Sequence, residues 1–335
     1  MKSFKRILAE SVARKAINEL KDSPERKSRN LVDLALNFAE GQYLRDFLFK
    51  VQKILQDENS PYYRLVIDAI NHIDTEKLLT FGMNIGYNSV TIGSPKIRKI
   101  EQEENFDIPW SMYIDAKNYD SSLYKNYSKL FSEGVELGIY SWHISAENNL
   151  SDLLKLLCEH SDCAFVIFID PCEITEELIN KAKSINNVMF ALNYGENLSE
   201  ASILLRNNFM LYSVYLKYSD REVNLITSDE FILSTENLRP LFTVFTPKEN
   251  TSAEAVNKIY AYVKETRLNQ KFLTIPWDAL NDTRYIDGKI SDNVCSAGIN
   301  KEGFLFRLNE NYALTDLNVF KMPLHDALKK ALPKK

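Results

Sequence analysis

The sequence predicts an α/β fold: a partial or complete βα barrel with an all-helical region ahead of it. Two observations carry this. Up to about residue 105 apolar residues recur at helical spacing. From Asp107 onward, short and nearly uninterrupted apolar runs alternate with amphipathic stretches, the rhythm of parallel strands covered by helices on both faces. The expected division is therefore residues 1–105 as a helical N-terminal region and residues 106–335 as a barrel that ends in a hairpin and a helix.

In the N-terminal region the helical positions are Ile7, Val12, Ala16, Ile17 and Leu20, then Leu31, Leu34, Ala35, Phe38 and Ala39, then Phe47, Val51, Ile54 and Leu55. Ser23-Pro24-Glu25 and Asn59-Ser60-Pro61 mark breaks or helix starts, because proline fits the first helical turn. The expected strands are Trp110 to Asp115, Gly138 to Ser145, Ala164 to Asp170, Val188 to Tyr194, Leu211 to Lys217, Pro240 to Thr246 and Phe272 to Trp277. Helices follow most of them, most clearly Thr175 to Ser184, Leu198 to Asn207 and Ala253 to Thr266. A hairpin near Gly303 and a helix from Leu324 complete the chain.

Composition narrows the function classes. With 45% hydrophobic and 26% charged residues, the chain can bury a large core. A net charge of -5 argues against nucleic acid as a partner, since phosphate binding needs a clustered positive field. No apolar run reaches the length of a membrane span or a signal-peptide core. Cys158, Cys163, Cys172 and Cys295 form neither a zinc spacing nor a disulfide framework, so a reduced, cytoplasmic setting is expected.

Several short motifs then occur in order. Gly86-Tyr87-Asn88-Ser89 leads to Asp107-Ile108-Pro109-Trp110; Ile144-Ser145-Ala146-Glu147-Asn148-Asn149-Leu150 follows the second strand; Ile226-Thr227-Ser228-Asp229-Glu230-Phe231 lies between later strands. Near the end stand Cys295-Ser296-Ala297-Gly298, Phe306-Arg307-Leu308-Asn309 and Leu324 to Leu328. Together, over about 250 residues, they resemble the motif series of bacterial radical S-adenosylmethionine (SAM) enzymes with a C-terminal C-x-A-G segment. The resemblance implies a TIM-like barrel of the radical SAM type.

The departures fall where the family does its chemistry. The family's C-x3-C-x2-C supplies three thiolates to a [4Fe-4S] cluster, yet Asp115 to Lys125 reads D-A-K-N-Y-D-S-S-L-Y-K, without cysteine. The family's G-G-E becomes Ala146-Glu147-Asn148, and a Cβ obstructs close backbone approach to a ligand. The family's late P-C is absent from Leu308 to Asp316. These losses imply a radical-SAM-like protein with neither cluster nor SAM as cofactor: a bacterial pseudoenzyme kept as a scaffold, a sensor of a small molecule or the binding partner of another protein.

In βα barrels functional residues gather at the C-terminal ends of strands. That rule nominates a pocket of Asp115, His143, Ser145, Glu147, Asp170, Asn193, Lys217, Thr246 and Asp278. An alternative function follows, a non-radical barrel enzyme using the strand-end carboxylates and His143 for acid/base work. The default for strand-end Asp and Asn is to cap a helix or close a turn. No metal site is expected, since none of the four histidines pairs with another at ligand spacing, and no residue stands out as catalytic. No G-x-x-x-x-G-K or G-x-G-x-x-G loop occurs.

Overall fold

The computed structural model describes residues 4–20, 29–30, 32–33, 35–37, 42–57, 59–117, 119–291, 293–308 and 313–334. Ser23-Pro24-Glu25, Leu31, Leu34, Phe38, Ala39, Asn118 and Asn309 lie outside the described residues. Two compact units emerge, Met1–Leu79 with Leu192–Leu280, and Thr80–Ala191 with Asn281–Lys335. The chain begins with helices α1 (Phe4–Leu20), α2 (Gln42–Ile54), α3 (Pro61–His72), α4 (Thr75–Met83) and α5 (Ser94–Glu104); α1 to α3 belong to the first unit and α5 to the second. The helix start expected at Asn59-Ser60-Pro61 is found: Ser60 Oγ accepts the Tyr62 N–H at 3.1 Å, with Pro61 in the first turn.

After α5 come β1 (Ser111–Asp115), α6 (Tyr124–Leu137), β2 (Ser141–Ser145), α7 (Leu150–Glu159), β3 (Ala164–Ile169), α8 (Glu176–Ala182) and β4 (Val188–Asn193). They are followed by α9 (Leu198–Asn207), β5 (Tyr212–Tyr218), α10 (Val223–Thr227), α11 (Glu230–Glu236), β6 (Phe242–Pro247), α12 (Ala253–Leu268) and β7 (Ile275–Asp278). Last are α13 (Asn281–Ile290), β8 (Ala297–Ile299), β9 (Phe304–Arg307), β10 (Ala313–Asn318) and α14 (Leu324–Ala331). In hydrogen-bonded order the strands read β10-β9-β8-β1-β2-β3-β4-β5-β6-β7. The fold is α/β with a mostly parallel sheet, as expected, and β7 and β10 stand at the two ends of that order.

In the second unit β8, β1, β2 and β3 are parallel, with Met112 opposite Trp142 and Trp142 opposite Phe165. These side chains face the helices, since Trp142 and Phe165 both lie edge-on to Phe131 of α6 at 5.0 Å between ring centres. The hairpin at Gly303 joins β8 to β9 as expected, and β10 extends it. Phe306 explains Gly298 of the C-S-A-G segment: a Cβ there would stand 2.3 Å from the Phe306 ring.

In the first unit β5, β6 and β7 are parallel. Tyr218 and Phe245 pack with Ile226, Phe231, Ile232, Ile259 and Val263 of α10, α11 and α12. The capping logic is regular here, with Ser252 accepting the Ala255 N–H at 3.2 Å and a Ser219/Glu222 capping box.

Two features of the second unit were not expected. Asn84–Gly93 is a π-helix. Its Asn84 Nδ2 donates to the carbonyls of Ser161 (2.9 Å) and Cys163 (2.8 Å), and Asn88 Nδ2 donates to Asn84 Oδ1 (2.9 Å) and the Asp162 carbonyl (2.8 Å). The wide turn thus holds the entrance of β3. Ahead of β1, buried carboxylates take up free backbone donors. Asp287 accepts from the Trp110 N–H at 3.1 Å and from the Ser296 hydroxyl, and Glu101 accepts from the Ile108 N–H at 2.8 Å. Lys334 reaches Glu101 at 3.2 Å. Burial pushes the Asp287 carboxyl up to about 7 and also raises Glu101.

Candidate functional site

On β1, β2 and β3 the pleat alternates, so the face opposite the helices presents Tyr113, Asp115, His143, Ser145, Val166 and Phe168. Asp115 is opposite Ser145, and Tyr113 is opposite His143. Four of the nominated residues, Asp115, His143, Ser145 and Glu147, therefore belong to two neighbouring strand ends of the second unit. Sequence reasoning missed the aromatic neighbours. The Tyr113 and Phe168 ring centres are 6.4 Å apart, Tyr113 and Phe306 also 6.4 Å, and His143 and Phe168 6.1 Å. Their signal was present as period-two alternation, hidden inside runs that are apolar on both faces.

His143 stands among these rings rather than beside an acid. Surface area alone leaves it half-buried, but loss of hydration on the sheet face pushes its imidazole down to about 4. An imidazole lowered this far is neutral near pH 7. Asp115 Oδ1 faces its own loop and accepts the Lys117 N–H at 3.3 Å. Asp170 takes the capping role given above as the default. Exposed, it accepts the Cys172 N–H at 3.1 Å and starts the short turn Pro171–Glu173. Among the described residues, Asp115, His143 and Asp170 share no hydrogen bond or ion pair with one another.

In the first unit Lys217 and Thr246 are register partners at the ends of β5 and β6. Lys217 is exposed, and Thr246 Oγ1 is buried without a hydrogen-bond partner among the described residues. Asn193 ends β4, half-buried. Asp278 is opposite Phe245 in register and so shares the helix-facing side; its Oδ1 accepts the Leu280 N–H at 3.0 Å, closing the turn after β7.

The loops after β1 and β2 bind each other. The β ladder continues past the strand ends, with the Ala116 N–H donating to the Ser145 carbonyl (2.8 Å) and the Ala146 N–H to the Phe168 carbonyl (3.1 Å). Lys117 and Glu147 form an ion pair at 2.6 Å, and the Glu147 carboxylate holds the Lys117 ammonium above its usual value. Asn149 Nδ2 donates to the Tyr119 carbonyl at 3.1 Å. Asn148 and Asn149 both adopt positive φ, 56° and 43°, a conformation asparagine tolerates better than most side chains. Asp120 accepts the Ser122 N–H at 2.7 Å. Tyr119 is buried against Tyr127 of α6, with 5.6 Å between ring centres, so it packs on the helix layer.

The family cluster requires thiolates. Residues 115–125 contain none, and among the described residues no three His, Cys, Asp or Glu side chains converge as a metal site. Cys163 and Cys295 are buried; Cys158 and Cys172 are exposed on other elements. The donor chemistry of this loop does not fit such a cluster.

No protein-family model matches the chain, and no curated protein matches it. Solved structures do. Streptococcus suis SuiB bound to S-adenosylmethionine aligns over 74% of this chain and 70% of its own, with a TM-score of 0.53 at 10% identity. SuiB bound to its precursor peptide SuiA aligns over 72% and 70%, with a TM-score of 0.53 at 11% identity. A further SuiB structure aligns over 89% and 84% with the same TM-score and 10% identity. At such identity the likeness is one of architecture, and it agrees with the order of motifs along the sequence. In fold, this chain is an α/β protein of the radical SAM type.

Proposed function

We propose that this chain is a binding protein built on a radical-SAM-type fold, a scaffold or sensor that carries out no radical chemistry and takes neither an iron–sulfur cluster nor SAM. One observation carries the reading. Where a cluster loop and a glycine pair belong, the chain has a cysteine-free loop and Ala146-Glu147-Asn148, joined by the Lys117–Glu147 ion pair and the Asn149–Tyr119 hydrogen bond. The two loops satisfy each other's polar groups through side chains. The partner class to test first is a peptide, because SuiB, which shares the fold, has been solved with a precursor peptide. The acid/base reading lacks support, since Asp170 serves as a cap and His143 packs among aromatic rings.

Anaerobic incubation with iron and sulfide tests the proposal. The expected result is no broad visible absorbance of a thiolate-bound cluster. Stoichiometric cluster formation with SAM cleavage overturns it.

A further inference from the structure

The first unit contains a shallow, solvent-open depression between α3, α9 and the segment that leads into β6, lined in part by Asp68, His72, Arg206, Tyr212 and Arg239. The charges in its wall do not balance. Asp68 is the only carboxylate in the lining, and both of its oxygens are taken by Arg206, at 2.5 and 2.8 Å. The Tyr212 hydroxyl donates to the Leu238 carbonyl. His72 Nδ1 lies 3.0 Å from the Asp68 carbonyl and 3.4 Å from Asp68 Oδ1. Arg239 is left. It is half-buried, and its guanidinium has neither a carboxylate nor a carbonyl partner among the described residues.

The backbone underlines the placement. Arg239 has φ 56°, a left-handed conformation that costs a residue with a Cβ about 1 kcal/mol or more relative to glycine. Glycine is the common choice just past a helix end, and here the chain places an arginine in the wall of the depression instead. A guanidinium presents a planar fork of donors that matches the oxygens of carboxylate and phosphate. Arg206, fixed by Asp68, makes one side of the depression rigid.

We infer that this depression is a binding site for a small oxyanion, phosphate or a short carboxylate, with Arg239 as the residue that holds the charge. The inference concerns the first unit alone and is independent of the loops after β1 and β2. The competing role for Arg239 is purely structural, a cation near the C-terminal carbonyls of α3 and α9.

Substitution of Arg239 by glycine separates the two roles, because glycine accepts φ 56° and removes the guanidinium without backbone strain. Titrations with inorganic phosphate and with acetate, each against sodium chloride at equal ionic strength, are followed by melting temperature and calorimetry. The expected result is saturable stabilisation of the unaltered protein by at least one of the two anions. Affinity should fall about tenfold or more in Arg239→Gly, equivalent to roughly 1.4 kcal/mol, and remain partly in Arg239→Lys. No anion-specific response in the unaltered protein overturns the inference. So does a response that Arg239→Gly leaves intact. A melting temperature that drops in Arg239→Gly by the same amount with and without anion assigns Arg239 to the structural role and also overturns it.

Discussion

At the scale of single residues, Asp287 has the largest consequence. Its carboxyl is pushed up to about 7 by burial, above the ordinary carboxylate value of about 4, so the folded state prefers the protonated form. The stability this supplies is present below about pH 4 and lost as pH rises through about 7. Replacing Asp287 with asparagine should therefore gain on the unaltered protein by roughly 2–3 kcal/mol between about pH 5 and pH 8. His143 works in the opposite sense: its depressed value gives stability above about 6.5 that is lost as pH falls towards about 4. The difference between Asp287→Asn and the unaltered protein, taken from urea denaturation at each pH, isolates the aspartate, and a pH-independent difference would contradict the assignment. Gly298 gives a steric counterpart. Gly298→Ala sets a methyl 2.3 Å from the Phe306 ring and should cost about 1–3 kcal/mol, most of it recovered when Phe306 is also truncated to alanine.

At the scale of elements, the π-helix is the clearest test. Asn84→Ala removes the donor to the exposed Ser161 and the buried Cys163 carbonyls, and the buried acceptor so orphaned costs about 1–3 kcal/mol. Asn88→Ala added to it should cost less than the sum, since the two side chains share a hydrogen bond at 2.9 Å; strict additivity in equilibrium unfolding would show that the network is not coupled. Much of this level was legible in the sequence. Leu198–Asn207 has the expected bounds, and Ala164–Ile169 and Val188–Asn193 differ from expectation by one residue, because unbroken apolar runs flanked by polar turns leave little freedom. Asn84–Gly93 was not legible, as a π-turn and an α-turn share nearly the same apolar pattern. β10 escaped for another reason: alternate residues of Ala313–Asn318 are exposed, so the run carries no apolar signature. At the strand ends the sequence placed residues but not their directions. Asp278 falls on the helix side through register with Phe245, and register depends on the neighbouring strand.

At the scale of the whole molecule, the reading rests on a fold retained while the residues that serve its usual cofactor differ. A fold by itself licenses no reaction. SAM at millimolar concentration should leave the melting temperature unchanged within about 1 °C, since a ligand that binds only the folded state stabilises it by mass action; a saturable rise that Ala146→Gly enlarges would mean that a SAM site persists. Among the described residues no helix is long and apolar enough to cross a membrane.

The paired loops after β1 and β2 also have unequal sensitivity to their surroundings. Lys117 and Glu147 are 38% and 49% exposed, so mobile ions screen their attraction, over about 10 Å at 0.1 M salt and about 3 Å at 1 M. The Asn149 amide carries no net charge and holds equally well at any ionic strength. Raising salt thus undoes one tie and spares the other. Amide exchange at Lys117 and Glu147 should quicken with sodium chloride while that at Tyr119 and Asn149 stays level, giving the rim of the second unit an ionic-strength response confined to a few residues.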